Sequence, residues 1–270
     1  MAKRLTNKPN TMNNIFNIKR FGKLLKQQYH LSKKSATLSL LSLFIGYTLI
    51  TLFTLMADRH FDAIQWVPLF IILCGGVALP FAAYAFPAFR NKGLTFDFIL
   101  LPCSLIEKFT LNLIVRILSP WLILPLVFYV SSHLASELVL WFSPDRFIES
   151  FSFTTILQEI GSEKLPFILT LTILIALIAQ SVLFAGGAVF GKKPLIKTLV
   201  ILGATTAVVI FYFFSIIEWA ELFKNGRVPW LIIFDNKEST AKALVVGIEI
   251  FVLITTWAYA FFRVKEKQIA

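Results

Sequence analysis

Two ionisable side chains lie within or beside long apolar stretches, and they are the candidates for polar chemistry inside a membrane. Glu249 stands well inside an apolar stretch that begins at Ala241, and Arg116 immediately precedes another that begins at Ile117. A charge at the bilayer centre costs roughly 2.5 to 3.5 kcal/mol on insertion scales. We expect Glu249 to face the protein interior, either in a packing hydrogen bond to a Ser or Thr or on a substrate path. We expect Arg116 to extend to the polar boundary.

The sequence contains no complete motif for catalysis or cofactor binding. The segment from Gly186 to Lys193 nearly matches the phosphate-cradling loop G-x-x-x-x-G-K-[ST]. However, Lys193 stands where that loop needs a magnesium-binding hydroxyl, and the glycines end an apolar stretch instead of following a strand. No H-E-x-x-H or G-x-S-x-G pattern occurs, and two cysteines, Cys74 and Cys103, are too few for a metal site or disulfide framework. We therefore expect no catalytic, cofactor-binding or metal-binding residue, and no enzymatic activity of the chain by itself.

The elements that position these residues follow from the composition. The chain is 57% hydrophobic and only 15% charged, with a mean hydropathy of +0.76. About 20 apolar residues in a helix are needed to cross a bilayer. The sequence predicts an all-α polytopic membrane protein with six transmembrane helices. The predicted spans are 35–57, 63–87, 117–134, 165–190, 194–217 and 241–262.

The basic residues set the predicted orientation. With both termini in the cytoplasm, 19 of the 26 Lys and Arg residues fall on the inner side and 11 of the 15 acidic residues on the outer side. Positive residues mark the inner side of membrane proteins. We therefore divide the chain into a cytoplasmic N-terminus (1–34), a transmembrane domain (35–262) and a cytoplasmic tail (263–270). The net charge of +11 is explained by this pattern, and we expect no nucleic acid partner.

The N-terminal segment carries an amphipathic helical pattern before the first span. Its apolar residues are Ile15, Ile18, Phe21, Leu25 and Tyr29, and its polar face carries Lys19, Arg20, Lys23, Lys26 and Gln27. This pattern predicts an interfacial helix on the inner membrane surface. The helix would either anchor the chain to anionic lipid or dock a partner protein.

A second inner segment precedes the third span. Ser104 and Glu107 have the S-x-x-E spacing of a capping box, and Pro102 prevents a helix from passing through, so we expect a helix to begin at about Leu105. The apolar run before it is too short to span a bilayer; it comprises Leu94, Phe96, Phe98, Ile99, Leu100 and Leu101. It should pack against membrane helices, lipid or a partner protein, and its polar rim favours the partner.

Small residues and prolines modify several spans. The pairs Gly75-Gly76 and Gly186-Gly187 should allow neighbouring helices to approach closely or to bend. Prolines at positions 80, 87, 120 and 125 should loosen the second and third helices.

Two motifs together resemble a known family. They are Phe21-Gly-Lys-Leu-Leu-Lys in the N-terminal helix and Leu101-Pro-Cys-Ser-Leu-Ile-Glu-Lys-Phe109 between the second and third spans. With the six-span layout, they resemble the membrane subunit of type-2 ATP-binding cassette (ABC) exporters, in a branch seen in Bacteroidetes-like bacteria whose signature is close to L-P-x-S-x-x-E-K-F. The resemblance implies a permease in the bacterial inner membrane that works as a homodimer or heterodimer with separate ABC ATPase subunits.

By the same resemblance, the 94–109 segment is the coupling helix that docks on the ATPase. The residues implied in coupling are Phe98, Leu101, Pro102, Ser104, Glu107 and Lys108. A noncatalytic membrane scaffold is the main alternative function. An ion-coupled carrier is weaker, because such carriers usually place several polar groups at the midplane and here Glu249 stands nearly alone.

Overall fold

The computed structural model describes residues 16–90, 103–154, 165–219 and 238–269. Its helices are α1 (Ile18–Ala57), α2 (Trp66–Ala83), α3 (Leu105–Leu113), α4 (Ser119–Phe142), α5 (Leu165–Val189), α6 (Pro194–Trp219) and α7 (Glu238–Ile269). A π turn (Ile114–Leu118) joins α3 to α4, so residues 105–142 form one helical segment. Short 3-10 turns occupy Ala63–Gln65 and Pro87–Arg90, and β1 (His60–Phe61) pairs in parallel with β2 (Phe147–Ile148).

Five helical segments among the described residues are long and apolar enough to cross a bilayer. They are Ile18–Ala57, Ala63–Ala83, Leu105–Phe142, Leu169–Val189 and Ala243–Lys267, and a shorter apolar stretch, Pro194–Val208, lies in α6. Large apolar side chains such as Phe53, Leu122, Leu126 and Phe251 are exposed along these helices, as a lipid environment requires. The chain is therefore a multi-pass, α-helical membrane protein.

Several helix boundaries differ from the predicted spans. The N-terminal amphipathic region and the first predicted span form one uninterrupted helix, α1, instead of two separate elements. The helix α2 ends at Ala83, before the end of the predicted span 63–87. The helical segment from Leu105 to Phe142 extends beyond both ends of the predicted span 117–134.

The two described ends of the chain lie at the same end of the bundle, which we call the termini end. Asn17 contacts Glu107 at the start of α3. The ring of Phe109 lies 5.4 Å from that of Phe261 in α7. Near the end of α7, the Lys267 ammonium donates to the carbonyl oxygens of Ala188 (2.7 Å) and Val189 (2.9 Å) and so caps α5.

The opposite end of the bundle, which we call the loop end, is tied together by the connections 58–65 and 143–151. One guanidinium nitrogen of Arg146, Nη1, donates to the carbonyl oxygens of Leu55 (2.9 Å), Met56 (2.8 Å) and Asp58 (2.9 Å). These carbonyls are among those that a helix end leaves without partners. The Glu149 carboxylate accepts a hydrogen bond from the Ala63 amide (3.1 Å), and the backbone carbonyl of Glu149 accepts one from the Trp66 indole (2.8 Å).

Each end has its own aromatic core. At the termini end, Phe86, Phe109 and Phe184 pack together with small residues of α5 and α7. At the loop end, Trp66, Phe128 and Phe151 pack edge to face, with Tyr47 beside them. The Tyr47 hydroxyl donates to the Leu73 carbonyl at 2.7 Å, which links α1 to α2. Aromatic pairs of this kind stabilise beyond their buried area.

Close helix approach occurs at one of the two glycine pairs. A Cβ at Gly187 would lie 2.6 Å from the Ala83 carbonyl oxygen, and one at Gly186 would overlap the side chain of Thr198. The prediction of close approach is therefore confirmed for α5, which packs against α2 and α6 here. At Gly75 and Gly76 a Cβ would meet no atom within 4 Å among the described residues.

Candidate functional site

The candidate site is a polar cluster at the termini end, centred on the carboxylate of Glu107. Its Oε1 accepts from the Asn17 amide (2.8 Å) and from Nε (3.3 Å) and Nη2 (3.0 Å) of Arg20. Its Oε2 accepts from the Ser104 amide at 2.9 Å, while the Glu107 amide donates to the Ser104 hydroxyl at 3.3 Å. The predicted capping box and the predicted helix start at Leu105 are both confirmed.

The sequence explains how α1 is brought to this cluster. Asn17 caps α1 with its own side chain, whose Oδ1 accepts from the amides of Lys19 (2.9 Å) and Arg20 (3.4 Å). The cap fixes the first turn, and it leaves the Asn17 amide free to donate to Glu107. One carboxylate thus joins the starts of α1 and α3, which are about ninety residues apart in the chain.

Burial makes this ion pair structurally important. The Glu107 side chain is completely buried, and that of Arg20 is 33% exposed. A buried carboxylate is costly unless charge-assisted hydrogen bonds replace its water. Among the described residues, the hydrogen-bond partners of the Glu107 carboxylate are Asn17, Arg20 and Ser104. In this conformation, therefore, its carboxylate serves the junction of two helices and is not presented to a partner protein.

The other predicted coupling residues divide into two groups. Ser104 and Lys108 lie in or next to the cluster, and Lys108 is only 4% exposed. Phe98, Leu101 and Pro102 lie outside the described residues. Cys103, between the two groups, is partly exposed, and burial together with the nearby Glu107 carboxylate raises the pKa of its thiol.

The two intramembrane candidates occupy different environments. The Arg116 guanidinium lies 4.3 Å from the centroid of the Phe81 ring, a cation–π geometry, on the π turn next to α3. Glu249 lies in α7, away from the cluster, and is partly buried. Its Oε2 is buried and has no hydrogen-bond partner in the described part of the chain, so the expected bond to a Ser or Thr is not formed by this atom.

A buried glutamine compensates for a proline in the α3–α4 connection. Pro120 has no N–H to donate to the Arg116 carbonyl four residues earlier. Gln180 of α5 supplies the donor, since its Nε2 lies 3.1 Å from that oxygen. Its Oε1 accepts from the Trp121 indole at 2.7 Å, and the side chain is almost completely buried. The π turn is thus fixed to α5.

Sequence reasoning missed three of these residues. It assigned Arg20 only to a basic face, and it did not single out Asn17 or Gln180. An Asn directly before a helical pattern is a recognisable cap, and a lone Gln in an apolar stretch signals an interhelical hydrogen bond. No local pattern identifies Arg20, because its partner is distant in the chain.

The fold and the cluster define an α-helical multi-pass membrane protein in which a buried ion pair joins the first helix to the segment 105–142. Comparisons with protein-family models, curated proteins and solved structures found no match to this chain.

Proposed function

We propose that this chain is the permease subunit of an ABC exporter in a bacterial inner membrane, driven by a separate ATPase that docks on the segment 94–109. In this proposal α6 is a sixth transmembrane helix and both termini are cytoplasmic. An even number of spans agrees with the position of both described chain ends at the termini end. The concentration of Lys and Arg in the segments of that end supports its cytoplasmic location.

The observation that carries the proposal is the Glu107 junction. An ATPase that moves the 94–109 segment would displace the start of α3, and through Glu107 and Arg20 it would displace α1 as well. Phe109, one turn further along α3, packs against Phe86, Phe184 and Phe261, which belong to the end of the α2 region, to α5 and to α7. A local movement would therefore reach four parts of the bundle, which suits a transporter that switches between two states.

The test is copurification of an ATPase from native membranes in mild detergent. Glu107 is unsuitable for the disruptive change because it is buried. Ile106 is its exposed neighbour, 43% accessible, and Ile106→Arg places a charge on the proposed docking surface without removing any contact of Glu107. Ile64→Arg is the matched control, since Ile64 is 50% exposed at the loop end.

We expect a stoichiometric ATPase to copurify with the natural chain and with Ile64→Arg, and to be lost with Ile106→Arg. If no ATPase is recovered in several detergents, the permease proposal is wrong and a noncatalytic scaffold becomes the leading function. If both variants retain the ATPase, the docking surface lies elsewhere.

A further inference from the structure

A groove of about 460 Å³ lies between α5, α6 and α7. It is near the termini end, since its lining includes Val189, whose carbonyl oxygen accepts from the Lys267 ammonium. The helix α5 packs against both α6 and α7 and forms the floor, while α6 and α7 form the walls. Two of the lining side chains, Ile201 and Tyr259, are exposed, so the groove is open towards lipid. Its volume is within the range of about 300 to 1,000 Å³ that is typical of small-ligand sites.

The lining of the groove suits a hydrocarbon body, although it includes four threonines. The hydroxyls of Thr198, Thr205, Thr255 and Thr256 each donate to a carbonyl oxygen of their own helix, at 2.7 to 2.9 Å. Each hydroxyl has one proton to donate, so these four offer no donor to a ligand. None of the described residues that line the groove is charged. A charged group would lose its water here without replacement, whereas an alkyl chain loses nothing.

The mouth of the groove at the termini end is basic on the α6 side. Phe190 lines the groove there, and the Lys197 ammonium lies 5.8 Å from the centroid of its ring. Lys192 and Lys193 follow Phe190 on the turn between α5 and α6, and all three lysines are exposed. Exposed basic residues at the end of a membrane-spanning helix attract anionic lipid headgroups through their summed charge.

The α7 side of the same mouth adds little net charge. The Nε of Arg263 donates to the Tyr259 hydroxyl at 3.2 Å, and its Nη1 lies 2.8 Å from the Glu266 carboxylate. This ion pair is exposed and leaves the lysines of the α6 side as the source of the positive potential. An apolar groove that ends at a positive mouth matches a molecule with an apolar chain and an anionic head.

We propose that this groove binds one acyl chain of an anionic phospholipid, with the headgroup at the basic mouth. The chain packs on α5 between α6 and α7 and so holds α6 against the bundle. The headgroup lies beside Lys197, where the exposed lysines attract it while they keep their contacts within the protein. The site is independent of the ATPase proposal, because it requires only that the protein resides in a membrane.

The test uses the full chain, purified in detergent and stripped of lipid. Binding is measured by native mass spectrometry and by the rise in melting temperature on addition of dioleoyl phosphatidylglycerol, or of phosphatidylcholine with the same acyl chains. Thr205→Trp fills the groove from α6, and Thr206→Trp is its matched control, since Thr206 is exposed and lies outside the groove lining. Thr255→Phe fills the groove from α7, and Ile254→Phe is its control for the same reasons.

We expect one phosphatidylglycerol per chain for the natural protein and for both controls, and weaker binding of phosphatidylcholine. Thr205→Trp and Thr255→Phe should each bind phosphatidylglycerol at least about tenfold more weakly, because the inserted ring competes with the acyl chain for the same space. Unchanged binding in both filled variants, or equal binding of the two lipids by the natural protein, would overturn the proposal. A dimer that Thr205→Trp dissociates would also overturn it, since a second copy of the chain would then occupy the groove.

Discussion

At the residue scale, the ion pair between Arg20 and Glu107 gives the first prediction. Arg20→Gln leaves the buried carboxylate without its cation, and we expect it to lower the free energy of unfolding by about 2 to 3 kcal/mol. This loss lies at or below the range expected when one partner of a fully buried ion pair is removed, because Arg20 is partly exposed. The measurement is unfolding of the purified protein in mixed detergent and SDS.

The matched control for this prediction is Lys23→Gln, an exposed cation on the same helix, which should change stability little. Addition of Glu107→Gln to Arg20→Gln should restore part of the loss, since the double variant no longer buries an uncompensated charge. Equal effects of Arg20→Gln and Lys23→Gln would show that the ion pair does not stabilise the helix junction.

Gln180 gives the second prediction at this scale. Gln180→Leu keeps the approximate volume but leaves the Arg116 carbonyl and the Trp121 indole without their side-chain partner. We expect a loss of about 1 to 3 kcal/mol, the penalty for unsatisfied buried polar groups. Thr255→Val is the control, because within the described part of the chain the Thr255 hydroxyl donates to carbonyls of its own helix. A loss no greater than that of the control would contradict the proposed role of Gln180.

At the element scale, the glycines of α5 and α2 make a paired prediction. Gly187→Ala should force α5 away from α2, because the new Cβ would lie 2.6 Å from the Ala83 carbonyl oxygen. The new Cβ in Gly75→Ala meets no described atom within 4 Å, so this change should be neutral or stabilising by up to about 1 kcal/mol, the helix propensity difference. Thermal melting in detergent should place Gly187→Ala below the natural protein and Gly75→Ala at or above it. Destabilisation by Gly75→Ala instead would indicate that Gly75 packs against another chain.

The elements also show what sequence patterns can and cannot predict. The start of α3 was predictable because capping is local: Ser104 and Glu107 are three residues apart. The end of α2 was not, because Ala85 and Phe86 remain apolar and buried beyond the last helical turn. The strands β1 and β2 have two residues each, too few for an alternating pattern. Arg20 and Gln180 act through partners far away in the chain. A hydropathy average over neighbouring residues does not reveal such partners.

At the scale of the whole molecule, the orientation can be tested with Cys103. In a Cys74→Ala background Cys103 is the only remaining thiol. If the termini end is cytoplasmic, a membrane-impermeant maleimide should label it in inside-out vesicles and not in intact cells. Labelling should be slow near neutral pH and accelerate as pH rises, because the raised pKa of the Cys103 thiol keeps it protonated.

The control for this experiment uses the loop end. Asp145→Cys, placed in a chain without other cysteines, occupies an exposed position there and should show the reverse labelling. If Cys103 is labelled from outside, the orientation is inverted; if both positions are labelled from the same side, the two ends of the bundle do not lie on opposite sides of the membrane.

The hydrogen bonds that hold the two ends of α1 join residues far apart in the sequence, which has a consequence for biogenesis. Arg20 pairs with a residue 87 positions later, and the carbonyls at the other end of α1 receive their donor from Arg146, 88 to 91 positions later. The ribosome therefore releases α1 well before either tie can form. During that interval α1 is held by its apolar length in the lipid and, once α2 has followed it, by the hydrogen bond from Tyr47 to the Leu73 carbonyl. Its docking is completed only after the segment 105–142 has entered the membrane and residue 146 has been translated, so the first helix made is fixed only after α2, α3 and α4 have followed it.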